Sequence, residues 1–139
     1  MPSEIMAESG LHRQLVKTLA DSIVRMYLGG DDGPVFVDDG SPSRRPPQIG
    51  GYVPDVYVPP MGTRGIIIGE AETSRSLERP DTLLQIRAFM SACGILDGSI
   101  LVLAVPWDRA RLAMSILRQI KTGGCGQHVQ TQIVEKIIL

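Results

Sequence analysis

The chain has 139 residues, 43% of them hydrophobic and 21% charged, with a formal net charge of −1. That is the length of one domain around one core, and it excludes a domain drawn to nucleic acid by its overall charge; affinity for phosphate would need a local patch. Two Phe, three Tyr and one Trp leave an aliphatic core and exclude a single-strand binder built on aromatic stacking.

Leu11, Leu15, Leu19 and Ile23 recur every four residues with Val16, Ala20 and Val24 beside them, which predicts a helix running to about Leu28 and stopping at Gly29-Gly30. Its start is open: Ser3 caps a longer helix with Glu4 in the first turn, or Ser9 caps a shorter one, and Gly10 costs the longer version ~1 kcal/mol relative to Ala. Val35-Phe36-Val37 is a short strand. Asp39 to Gly51, rich in Gly, Ser and Pro and holding Arg44-Arg45, is expected to be a mobile loop. Asp55 to Val58 and Gly65 to Glu72 read as two strands of a hairpin across Pro59 to Arg64. Pro80 opens a helix to about Gly94. Ser99 to Val105 is a continuous apolar run, a strand buried on both faces and ended by Pro106. Ala110, Ala113, Met114, Leu117 and Ile120 give another helix, and Val129 to Ile138 a last strand. The first three strands form a meander, and the helix between Glu72 and Ser99 permits a parallel crossover. The expectation is a single α/β domain over residues 1–139 with a mixed central sheet flanked by helices.

In Ile66-x-Ile68-x-Glu70-x-Glu72 alternate residues share a strand face, apolar for two positions and then acidic for two. The two carboxylates sit about 7 Å apart along the strand, and a hairpin centred near Met61-Gly62 puts Asp55 opposite a residue close to Glu70. Three converging carboxylates, with no Lys or Arg in the same strands, call for compensation, and a hard divalent cation, magnesium or manganese, takes oxygen ligands. The same pattern also suits a solvated face of an exposed strand, with Asp55 a turn residue after Pro54.

Tyr52-Val53-Pro54-Asp55-Val56-Tyr57-Val58 followed by Ile66-Ile67-Ile68-Gly69-Glu70-Ala71-Glu72-Thr73 resembles the PD-(D/E)xK nuclease superfamily, of restriction-endonuclease-like and Holliday-junction-resolvase-like fold. The likeness continues into Gln85-Ile86-Arg87-Ala88-Phe89, similar to a Gln-x-x-x-Tyr element in one branch, and spans roughly residues 4 to 105. It implies the order αβββαβ followed here by αβ, and a metal-dependent nuclease acting on nucleic acid, DNA first. It implies Asp55 and Glu70 as metal-binding acids, Gln85 as a supporting residue, and Glu8, with Glu4 behind it, as the acid of the first helix. Glu72 stands where the family usually has Lys; a carboxylate cannot donate as an ammonium does, and would act as a further metal ligand or as a general base. The alternative is a catalytically inactive domain of the same fold that binds nucleic acid or a protein. Family members often act as pairs on symmetric duplexes, which implies a homodimer.

Arg44 and Arg45 would grip a nucleic-acid backbone at the mouth of such a site, and Arg75 and Arg87 are the nearest substitutes for the absent Lys. Arg75 and Arg79 flank the entry to the Gln85 helix, where they would contact phosphate. Each of these arginines has a plain alternative as a solvated surface charge, in the case of Arg79 through a surface pair with Glu78 or Asp81. His12 would face the same way as Glu8 on a helix spanning both. Neither His12 nor His128 has a ligand-spaced partner, and Cys93 and Cys125 lie far apart, which argues against zinc and disulfide and for a reducing compartment. Trp107 is expected to anchor packing with its indole N–H near the surface. No Gly-x-Ser-x-Gly, Walker-type or dinucleotide motif is present. No apolar run nears the ~20 residues of a membrane span, and Met1 to Gly10 lacks a basic signal-like stretch. The expected setting is cytoplasmic, with no membrane partner.

Overall fold

The structure, a computed structural model, describes residues 2–137, with side chains from residue 8 onward. The side chain of Glu4 and the strand position of Ile138 lie outside the described residues. The first helix, α1, runs Pro2–Tyr27, so both Ser3 and Ser9 are inside it and neither caps it. The proline sits at a first-turn position, where its missing N–H costs nothing. The helix passes straight through Gly10 because Leu15, Leu19 and Ile23 are fully buried against the sheet. Each such side chain contributes ~1.5–3 kcal/mol, more than the ~1 kcal/mol that one glycine costs.

The remaining elements are β1 (Phe36–Val37), a 3-10 turn (Pro42–Arg44), β2 (Val56–Val58), β3 (Ile67–Ala71), a short helix α2 (Ser74–Leu77), α3 (Pro80–Ile95), β4 (Ile100–Pro106), a second 3-10 turn (Trp107–Arg109), α4 (Ala110–Thr122) and β5 (Gln130–Lys136). They build a single five-stranded mixed sheet in sequence order. β1, β2 and β3 pair antiparallel, and β3, β4 and β5 pair parallel. The expected meander and crossovers are therefore present, and the class is α/β.

Alternation along the buried strands sorts the core into two layers. Leu101, Leu103 and Val105 of β4 meet Ile86, Phe89 and Met90 of α3 and Leu117 and Ile120 of α4. Ile100, Val102 and Ala104 face the other way, toward Leu15, Leu19 and Ile23 of α1. Every residue of β4 is buried, as its unbroken apolar run requires. Trp107 departs from expectation. It sits on the turn after β4, 55% exposed, because the chain leaves the sheet at Pro106 before the indole can reach either layer. No helix among the described residues is long and apolar enough to cross a membrane.

Gly69 sets how closely α1 lies on the sheet. A β-carbon there would stand 3.0 Å from Ile23 Cδ1 and Leu19 Cδ2, tighter than ordinary contact between carbon atoms. The helix therefore rests directly on the backbone of β3, one residue before Glu70.

Candidate functional site

The β2–β3 register pairs Val56 with Gly69 and Val58 with Ile67, and Met61 bridges Arg64 at the turn. Carried one step further, the register sets Asp55 beside Glu70. The two residues are joined through the main chain: the Asp55 N–H donates to Glu70 Oε1 at 2.9 Å, and the Ala71 N–H donates to Asp55 Oδ2 at 2.9 Å. The second oxygen of Glu70 accepts from the Gln85 side-chain amide at 3.2 Å. Gln85 is placed there because Ile86 and Phe89 beside it are fully buried and fix the rotation of α3.

Directly after Glu72 the chain turns into α2. Thr73 caps that helix, its hydroxyl accepting from the Ser76 N–H at 3.1 Å, a role suited to threonine at an N-cap. The same turn brings the Ser76 hydroxyl 2.5 Å from Glu72 Oε2. The Thr73 hydroxyl also donates to Glu8 of α1. One turn along α1, His12 Nε2 lies 3.4 Å from Asp55 Oδ1. Glu8 and His12 continue the stripe that holds Leu15 and Leu19, so α1 changes from apolar to polar at the same end of the sheet as β3 does.

The result is a cleft of about 500 Å³ lined by Glu8, His12, Asp55, Glu70, Glu72 and Gln85, with Arg13 and Arg79 among its other walls. Asp55, Glu70 and Glu72 are 8%, 2% and 4% exposed, so the solvated-strand alternative does not hold for them. Burial foremost, and then the charges of Asp55 and Glu72, push the Glu70 carboxyl well above the usual carboxylate range, against the Asp55 N–H, which opposes. Burial foremost raises Glu72 as well; the Ser76 hydroxyl opposes it and the Asp55 charge adds to it. The charge of Glu72 raises Glu70, and two acids that interact in this way take up protons as a pair. His12 is raised first by its hydrogen bond to Asp55 and further by the charges of Asp55, Glu72 and Asp38, while burial pulls it down.

The chemistry of this donor set fits a hard divalent cation: Asp55, Glu70 and Glu72 offer carboxylate oxygens, and the repulsion that adds to burial in raising Glu70 and Glu72 is what a cation relieves. Among the described residues no group of three or more His, Cys, Asp or Glu is already arranged to hold a metal ion. The physical reason is that oxygens of Asp55, Glu70 and Glu72 are turned to internal N–H and O–H donors. An ion would compete with those donors for the carboxylate oxygens.

Four of the arginine expectations are not met by position. Arg44 lies in the 3-10 turn, not in a free loop, and its guanidinium donates to the carbonyls of Gly33 and Val35, the latter at 3.1 Å. It lines a separate groove beside Ala20 and Val24 of α1, drawn there by unpaired carbonyls ahead of β1. Arg45, Arg75 and Arg87 are exposed and line none of the cleft; Arg87 projects from the solvent side of α3, set by the burial of Ile86. Arg13 and Arg79 do line it. Among the described residues Arg79 makes no ion pair with Glu78 or Asp81. Arg79 was legible as the residue just before Pro80, hence at a helix N-terminus. Arg13 and Ser76 carried no signal, since both depend on how α1 and α2 close over the strands.

Comparison with protein-family models, with curated proteins and with solved structures finds no match.

Proposed function

We propose that this chain is a metal-dependent nuclease that hydrolyses phosphodiester bonds of nucleic acid, with DNA as its substrate. The observation that carries the reading is the buried meeting of Asp55, Glu70 and Glu72 in one cleft with Gln85 and the first-helix acid Glu8. It is supported by the resemblance of the two strand motifs to the PD-(D/E)xK superfamily. A helix, three strands, the helices α2 and α3 and a strand in succession support the reading, and a further helix and strand follow them.

Asp55 and Glu70 would hold a magnesium or manganese ion, with Glu72 as a third oxygen ligand. Bound there, the ion supplies polarisation of a phosphoryl oxygen and a lowered pKa for water. The chain's own residues do the rest. Gln85 and the Asp55 N–H fix the orientation of Glu70, and Ser76 fixes Glu72. Where Glu72 does not bind the ion, it would serve as the general base that takes the proton of the attacking water and passes it to the leaving oxygen. Water oxygen bonds to phosphorus as the ester P–O bond breaks, leaving a phosphomonoester and a free hydroxyl. The assembly that the resemblance implies is a homodimer on a symmetric duplex.

A second reading is favoured by the internal hydrogen bonds of the acids: a catalytically inactive domain of the same fold, binding nucleic acid or a protein. One experiment separates the two. Duplex, single-stranded and branched DNA are incubated with the chain in magnesium or manganese, beside Asp55→Ala. Cleavage that needs the metal and falls by at least about 100-fold in the variant supports the nuclease. No cleavage of any substrate, with calorimetry finding no uptake of either ion, sinks it and leaves the binding domain.

A further inference from the structure

Five carboxylates line the cleft, Glu8, Asp55, Glu70, Glu72 and Asp81, together with two guanidinium groups, Arg13 and Arg79. Both arginines are exposed, and among the described residues neither makes an ion pair or a side-chain hydrogen bond. Two arginines beside five acids would be expected to close onto them; here Glu8, Asp55, Glu70 and Glu72 are taken up instead by main-chain N–H groups, hydroxyls, Gln85 and His12, and Asp81 makes no ion pair with either arginine. The guanidinium groups come from separate elements. Arg13 stands on α1 next to His12, and Arg79 immediately precedes Pro80, where its side chain makes no cap to α3. Asp81 and Thr82 of the first turn of α3 line the same cleft, so the N-terminal end of this 16-residue helix adds its positive dipole to that wall.

We infer that Arg13 and Arg79 are positioning residues that hold the phosphate backbone of the nucleic acid across the acidic floor. The inference rests on the nuclease reading and adds to it where the substrate is gripped. A planar guanidinium fork matches the two non-bridging oxygens of a phosphodiester. The floor by itself repels a polyanion, so its cation and the two arginines act together: the ion offsets the carboxylates, and the arginines set the register of the strand. Unengaged cations at the cleft are what a ligand carrying several regularly spaced negative charges requires.

The test is fluorescence anisotropy with a short labelled DNA duplex, in calcium, an oxygen-ligated cation, over a salt series. Each phosphate contact contributes about one unit to the slope of log affinity against log salt. Arg13→Ala and Arg79→Ala should each weaken binding and lower that slope by about 1, and the double variant by about 2. Arg13→Lys and Arg79→Lys should restore the slope. Arg118→Ala, an exposed residue of α4 outside the cleft, should leave it unchanged. Unaltered slopes in both alanine variants, in a wild-type chain that binds and cleaves DNA, overturn the inference and spare the nuclease reading. Failure of the wild type to bind or cleave removes both together. A mononucleotide that competes as well as the duplex overturns the assignment to a polynucleotide backbone.

Discussion

Asp55 and Glu70 hold each other in place through the main chain. The N–H of Asp55 donates to the Glu70 carboxyl, and the Asp55 carboxyl accepts from the N–H of Ala71, the residue after Glu70, both at 2.9 Å. Each acid is thus tied to the backbone of the neighbouring strand. Two like charges are kept close by the β2–β3 pairing and by those N–H donors, even though Coulomb repulsion between buried carboxylates opposes it. These hydrogen bonds fix the acids in one cleft, although an ion would have to draw their oxygens away from the internal donors.

That arrangement predicts a specific pH dependence. Glu70 and Glu72 are raised above the ordinary carboxylate range, so the folded chain keeps protons that the unfolded chain has released. Stability therefore falls as pH rises through the window from the ordinary Glu value up to their raised values. His12, also raised, has the same sign: its contribution is full below the ordinary His value and is lost as pH passes the raised one. Thermal melts of the metal-free chain should show the melting temperature dropping from mildly acidic to neutral pH. Manganese should flatten the drop, and so should Glu72→Gln, which removes the charge yet retains an acceptor for Ser76. A metal-free melting temperature that climbs with pH across this window would contradict the assignment.

Gly69 links packing to the site. Alanine there makes the terminal methyls of Leu19 and Ile23 give way by a few tenths of an ångström in a fully buried layer, because its β-carbon would stand 3.0 Å from them. Gly69→Ala should cost about 1–3 kcal/mol, as overpacking does. It should also lower metal affinity, since α1 carries Glu8 and His12 to the acids. Denaturant unfolding gives the first quantity and calorimetry the second. Unchanged values in both would mean that α1 adjusts without loss.

Thr73 has two partners, the Ser76 N–H and the Glu8 carboxyl. Thr73→Ala should cost ~1 kcal/mol for the lost cap and free Ser76 from its place beside Glu72. Thr73→Ser keeps the hydroxyl and should restore most of the stability. Equal stability of the alanine and serine variants would show that the cap contributes little.

Much of this fold was legible along the chain. The unbroken run from Ile100 to Val105 could only be a doubly buried strand, because charged or polar residues are absent from both of its faces. The four-residue stripe from Leu11 to Ile23 could only be an amphipathic helix. The apolar-to-acidic change from Ile68 to Glu70 and Glu72 was equally plain, because side-chain direction in a strand follows a fixed period of two. Less legible were the arginines, where Arg44, Arg45, Arg75 and Arg87 all lie outside the cleft that Arg13 and Arg79 line.

The sequence by itself determined the five strands, the three long helices and the acidic end of β3, since propensity and periodicity act over a few residues and need no partner, but it did not mark the short helix α2 or the two 3-10 turns. Only the tertiary structure decided which cations stand near the acids, that His12 of α1 reaches Asp55 in addition to its β3 partners, and that Thr73 and Ser76 tie α1 and α2 to the site. Those relationships join residues as much as 65 positions apart. They depend on the rotation and depth of α1 on the sheet, which the shape of the core at Gly69 sets and no local pattern encodes.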